Sequence, residues 1–151
     1  MHTIPLQPLG TLLDSHGRLL VKLEQVPTHQ LMYATWYGNL TSREVITGAQ
    51  GYLTYESVLH YPLLLNDKSH ATGDWSEAMS WLEYEWLPDA TGEGLRAIAY
   101  VFSPDMHNQL ASIQFFERVK QYLPIQLFHD VPTAWQWLRL QYRSQHGPIP
   151  L

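Results

Sequence analysis

Cysteine is absent from this sequence, which removes disulfides, thiolate catalysis and cysteine-ligated metal at once. Charge is scarce as well: Asp, Glu, Lys and Arg together make up 15% of the residues, against about 25% in an average domain. Nine basic residues face fourteen acidic ones, for a formal net charge of -5. The basic residues form no cluster, and neutralising nucleic-acid phosphates requires one. No window approaches the uninterrupted apolar length of about 20 residues that a membrane span requires. The opening MHTIPLQPLG has neither a basic region nor a long apolar core, so a cytoplasmic, soluble protein is the expectation. There is no G-x-G-x-x-G, no P-loop, and no H-x-x-x-H or H-x-H pair. No cofactor and no metal are therefore expected. Neither an internal repeat nor a linker divides the chain, and residues 1–151 read as one domain.

What is present is apolar and aromatic. Hydrophobic residues reach 45%, with six Trp and nine Tyr. The stretch from Asp74 to Ser103 organises the rest. Asp74 and Glu77 stand as a capping pair. Trp75, Ala78, Met79, Leu82 and Trp86 follow as one apolar stripe at helical period. Pro88 is expected to stop that helix. Ala97 to Phe102, an unbroken apolar run, reads as a strand covered on both faces.

In chain order, residues 1–8 read as a loose arm, followed by a short strand at 11–14. Asp14-Ser15-His16-Gly17 is hairpin-turn chemistry. Leu19, Val21 and Leu23 then form a half-buried strand. Leu31 to Tyr37 is a third strand, with Met32, Ala34 and Trp36 on one face and Tyr33, Thr35 and Tyr37 on the other. Thr41 and Glu44 make a capping box for a helix carrying Val45, Ala49, Tyr52, Leu53 and Glu56. Gly48 and Gly51 weaken this helix but allow it close to a sheet. Leu63 to Leu65 reads as a short buried strand, and Asn66 to Gly73 as a polar loop. Ser103 with Pro104 reads as the start of a helix whose buried face is Met106, Leu110, Ile113, Phe115 or Phe116, and Val119. Ile125 to Phe128 is a strand, Asp130 caps a last helix, and residues 143–151 read as a flexible tail. The alternation predicts an α/β fold: a mixed, largely parallel sheet, an N-terminal antiparallel hairpin, and about four helices.

Several of these pieces together resemble a bacterial group of STAS-like domains. These are related to anti-sigma-factor antagonists and are compared with CRAL-TRIO lipid-transfer domains. The likeness rests on Trp36-Tyr37-Gly38, Thr41-Ser42-Arg43-Glu44, Asn66-Asp67, Trp81 through Trp86-Leu87-Pro88, Gly94-Leu95, and Phe128 through Ala134-Trp135. It spans residues 18 to 140. The resemblance implies a non-catalytic binding or regulatory role, a homodimer, and a protein partner. Antagonists of that group carry a regulated serine in a D-x-S context, which Asp67-Lys68-Ser69 matches and Asp74-Trp75-Ser76 matches a second time.

In an open α/β sheet, ligands bind beyond the carboxyl ends of the strands. That rule makes Asn66, Asp67, Ser69, His70, Ser103 and His129 the binding or regulatory candidates. Ser103 with His129 and Asp130 would be the constellation of a hydrolase, but no G-x-S-x-G elbow accompanies it. Trp81, Tyr84 and Trp137 fall off the main helical stripes and are the candidate interface. An interaction module that self-associates is the preferred expectation. A domain for a small apolar molecule or lipid is the alternative.

Overall fold

The computed structural model describes residues 4–146. Among the described residues six strands form one sheet in sequential order: β1 (Gln7–Leu13), β2 (Leu19–Val26), β3 (Leu31–Asn39), β4 (Leu63–Thr72), β5 (Ala97–Val101) and β6 (Ile125–Phe128). β1, β2 and β3 pair antiparallel, and β3 through β6 pair parallel. The fold is α/β with a mixed, largely parallel sheet, as the alternation of elements predicts.

Parallel neighbours need crossovers, and the three crossovers lie on one face. They are α1 (Ser42–Leu59), a composite helix between Ser76 and Gly92, and α4 (Met106–Val119). The opposite face is covered by α5 (Val131–His146), with Ile4 and Leu6 packed beside it. Because β5 is sandwiched, all five of its residues are buried. Ile98 and Tyr100 face the three-helix layer, while Ala97, Ala99 and Val101 face α5.

Two glycines set how closely α1 lies on the sheet. A Cβ on Gly48 would come within 2.4 Å of the Trp36 ring, and one on Gly51 within 2.2 Å of Leu12. Both distances are closer than carbon atoms approach, so the helix-weakening residues are what permit the packing.

Several sequence expectations are corrected. β1 begins at Gln7, inside the expected arm, and Ile4 and Leu6 are packed. α5 continues through residues 143–146 of the expected tail, while 1–3 and 147–151 lie outside the described residues. The expected loop from Asn66 to Gly73 is strand as far as Thr72, because β3 supplies paired backbone for its whole length. Pro88 does not stop the composite helix, which runs through a 3-10 turn (Ser76–Ala78), α2 (Met79–Trp81), a π segment (Leu82–Trp86) and α3 (Leu87–Gly92). The π segment closes with the Leu87 amide donating to Leu82 O, an i to i−5 bond. Pro88, which has no N–H to contribute, follows that change of register directly.

The N-cap of α4 is Asp105 rather than Ser103: its side chain accepts from the Asn108 amide at 3.1 Å. At α1 the Thr41 hydroxyl donates to the Glu44 carboxylate instead of the side chains capping backbone amides. Asp130 does cap α5, accepting from the Thr133 amide at 2.8 Å. The largest change is the rotation of α4. Its buried face is Asn108, Ala111, Ser112, Phe115 and Val119, whereas Met106, Leu110 and Ile113 point to solvent. Asn108 explains the rotation, since its side-chain amide donates to Thr72 O at 3.2 Å beneath the helix. Large side chains would not fit there, because Trp75, Trp86, Tyr100 and Phe115 already fill the layer with rings in mutual contact.

Candidate functional site

The carboxyl-terminal half of β4 is where polar groups enter the core. The strand alternates from Leu64 through Asn66 toward the three-helix layer, and from Leu63 and Leu65 through Asp67 toward α5. Between the pairs Thr35–Asp67 and Tyr37–His70, β4 contributes two residues opposite the single Trp36. Lys68 and Ser69 thus form a β-bulge, a device that re-aims side chains and is common near functional sites.

Lys68 enters the three-helix layer and is 2% exposed. Its Nζ lies 3.5 Å from the centroid of the Trp75 ring, 4.6 Å from Trp36 and 5.4 Å from Tyr100. No carboxylate pairs with it among the described residues. Burial pushes the amine well below the ordinary lysine range. The ring faces offset part of this, about 2 kcal/mol for a desolvated cation–π contact, against several kcal/mol per buried ion. Desolvation is the larger effect, and it shifts the amine toward its neutral form.

Beside Lys68 is a cavity of about 40 Å³ lined by Leu23, Ala34, Leu64, Asn66, Ile98 and the cage rings, among others. A single water needs roughly 10–15 Å³ on this measure, so the space holds a few heavy atoms. An acyl chain does not fit in this cavity. The Asn66 Oδ1 accepts from Trp36 Nε1 at 2.6 Å and fixes that wall of the cage. Trp75 Nε1, also buried, finds no acceptor among the described residues.

On the opposite face Asp67, 2% exposed, is fully engaged. It accepts from the Tyr33 hydroxyl at 3.0 Å and from the Ser69 amide at 2.9 Å. Burial, and then the Asp67 charge, push the Tyr33 phenol up. A second buried acid, Glu56 on α1, accepts from the Tyr61 amide at 2.9 Å. Burial raises its carboxyl to about 8, so it is mainly protonated at neutral pH.

The remaining candidates separate. Ser69 is half-buried in a paired strand rather than an exposed loop. His70 stacks on Tyr37 with centroids 5.6 Å apart. Ser103 is fully buried, donating to Ala71 O and accepting from the Asp105 amide at 3.0 Å. His129 is exposed and lies against Phe102 with centroids 5.3 Å apart. The Ser103 hydroxyl is thus spent on backbone and is not joined to His129, and the hydrolase constellation is not assembled. No group of three or more His, Asp or Glu side chains could hold a metal ion among the described residues. The candidate interface also divides. Trp81 and Tyr84 belong to the composite helix, whereas Trp137 is half-buried on the α5 side, 5.9 Å from the Phe128 ring.

Of the two buried ionisable groups, Glu56 stands among the positions that the helical spacing predicts, whereas Lys68 falls in the predicted loop. Their signal is period: Leu64, Asn66 and Lys68 share a strand face, and Val45, Ala49, Tyr52 and Glu56 share a helix face. Reading 66–73 as a loop concealed the first. No helix among the described residues is long and apolar enough to cross a membrane. A scan of protein-family models finds no match to this chain, and searches of the curated proteins and of the solved structures find none either.

Proposed function

We propose that this chain is a non-catalytic, STAS-like interaction module that self-associates through the outer face of α4. The observation that carries the reading is the stripe of Met106, Leu110 and Ile113, which are 71%, 53% and 41% exposed at i, i+4 and i+7. Large apolar side chains repeated on one exposed helix face mark a surface that is covered in the assembled protein. Residues 106–116 contain no Asp, Glu, Lys or Arg. In a chain of net charge -5, such a neutral face can meet its own copy without like-charge repulsion, as a two-fold interface requires. Tyr84 and Tyr122 add exposed aromatic area, and Tyr122 is tied to the composite helix through Glu83. That buried carboxylate accepts from the Tyr122 hydroxyl at 2.7 Å and from Arg118 at 3.1 Å.

Sedimentation equilibrium of wild type and Leu110→Lys tests the reading. The wild type is expected to be dimeric. The variant should be monomeric with an unchanged melting temperature, because Leu110 supports nothing beneath it. A wild-type monomer at high concentration would end the proposal.

A further inference from the structure

We propose that Lys68 is an imine-forming lysine, whose site takes a small, uncharged aldehyde or ketone of two or three carbons. The inference is independent of the self-association reading. It rests on three features that meet at one place. An amine on the core-facing side of β4, in line with Leu64 and Asn66, lies beyond hydrogen-bond or ion-pair partners among the described residues. A cavity of about 40 Å³ adjoins it, with mainly apolar walls. In that lining stands Trp75, whose buried indole N–H has no acceptor among the described residues.

A methionine would fill the same space without the cost of burying an amine. A lysine that anchored an anion would need the ammonium form, which burial opposes. The neutral amine instead has a free lone pair, the species that attacks carbonyl carbon. Attack forms the C–N bond while the carbonyl π pair moves to oxygen. A proton passes from nitrogen to that oxygen, giving a carbinolamine. Loss of water then leaves the imine, with no oxidant or reductant consumed. The imine's protonated form would sit on ring faces at 3.5 to 5.4 Å, which stabilise a desolvated cation. The cage therefore suits both ends of the reaction: a neutral amine before it and an iminium after it. Cavity size sets the substrate class, because about three water-sized positions accommodate acetaldehyde or acetone and exclude a benzene ring.

The chain makes the test clean, having only three lysines, Lys22, Lys68 and Lys120. Lys22 and Lys120 stand at the surface, 3.5 Å and 2.6 Å from Glu24 and Glu117, and serve as the internal reference. The native full chain is treated at pH 7 with acetaldehyde and cyanoborohydride, and in parallel with benzaldehyde and cyanoborohydride, and the alkylated peptides are mapped by mass spectrometry. With acetaldehyde, Lys68 is expected to be alkylated at least tenfold faster than either surface lysine. With benzaldehyde, it should be spared. Lys68→Met, which keeps the side-chain volume, should lose the fast phase while leaving the slow labelling of Lys22 and Lys120 intact. Labelling of Lys68 no faster than the surface lysines would overturn the proposal, leaving Lys68 a protonated packing element. Equal labelling by both aldehydes would also overturn it, because the reaction would then proceed through an opened chain and not through the cavity.

Discussion

Asp67 and Lys68 are consecutive on β4 and equally sequestered, each 2% exposed, yet they enter opposite faces of the sheet under opposite terms. Asp67 faces α5 and has hydrogen bonds from Tyr33 and Ser69. Lys68 faces the three-helix layer and has aromatic rings and a void. A buried acid with its partners in place is a structural solution, since hydrogen bonds replace the water that was lost. A buried base without them stays a net cost, which the rest of the core must offset. The same contrast runs through the two layers. The α5 side leaves one buried ring nitrogen, His29 Nε2, without a hydrogen bond among the described residues, while the three-helix side also holds a protonated Glu56 and an unpaired Trp75 N–H. Lys68 and Trp75 meet at one cavity, and costs gathered around a cavity are how a binding site differs from a core.

The comparison is broken most severely at the cage wall. Trp75→Ala should destabilise the chain by about 3–5 kcal/mol, as large-to-small core changes do, measured by urea denaturation. A loss below 1 kcal/mol would mean that Trp75 does not close the layer. Next come the adjacent pair, with opposite signs expected. Asp67→Ala strands the Tyr33 hydroxyl and should cost about 1–3 kcal/mol. Lys68→Met removes an unpaired buried amine and should stabilise by about as much at pH 7. The gain has a pH signature. Lys68 has a depressed folded-state pKa, so its stability contribution is complete above the ordinary lysine value of about 10.4 and falls as pH drops below it. The advantage of Lys68→Met should therefore shrink toward pH 10. Destabilisation by both variants would erase the contrast.

Glu56 gives a milder effect with a different window. Its folded carboxyl titrates at about 8, from an ordinary value of 4.5. The unfolded chain sheds this proton first, so the stability it contributes is full below pH 4.5 and declines as pH rises to about 8. Glu56→Gln keeps the acceptor for the Tyr61 amide and should flatten that decline. Thermal melts at pH 5 and pH 8 would show it, and an unchanged difference between the two would assign the pH dependence elsewhere. Leu110→Lys is expected to be the smallest perturbation of folding, within about 0.5 kcal/mol for a surface position, though its effect on assembly is the point.

The pattern of the chain carried the architecture because each element states its own period. Met32, Ala34 and Trp36 lie together in the three-helix core, and Trp75, Ala78, Met79, Leu82 and Trp86 are all buried. The continuous run from Ala97 is buried on both faces. Order of elements then implied a parallel sheet with an antiparallel hairpin before it, by connection rules alone. Two decisions lay outside that reach. Polar composition marked 66–73 as a loop, but strand pairing is settled by whichever backbone lies alongside, and β3 extends to Asn39. A helix with apolar residues on two faces does not announce which one is inside. Met106, Leu110 and Ile113 are more hydrophobic than Asn108, Ala111 and Ser112, yet the latter are buried. Small side chains fit against aromatic rings, and Asn108 finds a carbonyl on the neighbouring strand. Local sequence determined the elements and their order, because period and turn chemistry act over a few residues. Tertiary structure alone decided that Lys68 is caged and that the α4 stripe is exposed, because volume and hydrogen-bond partners come from segments distant in the chain.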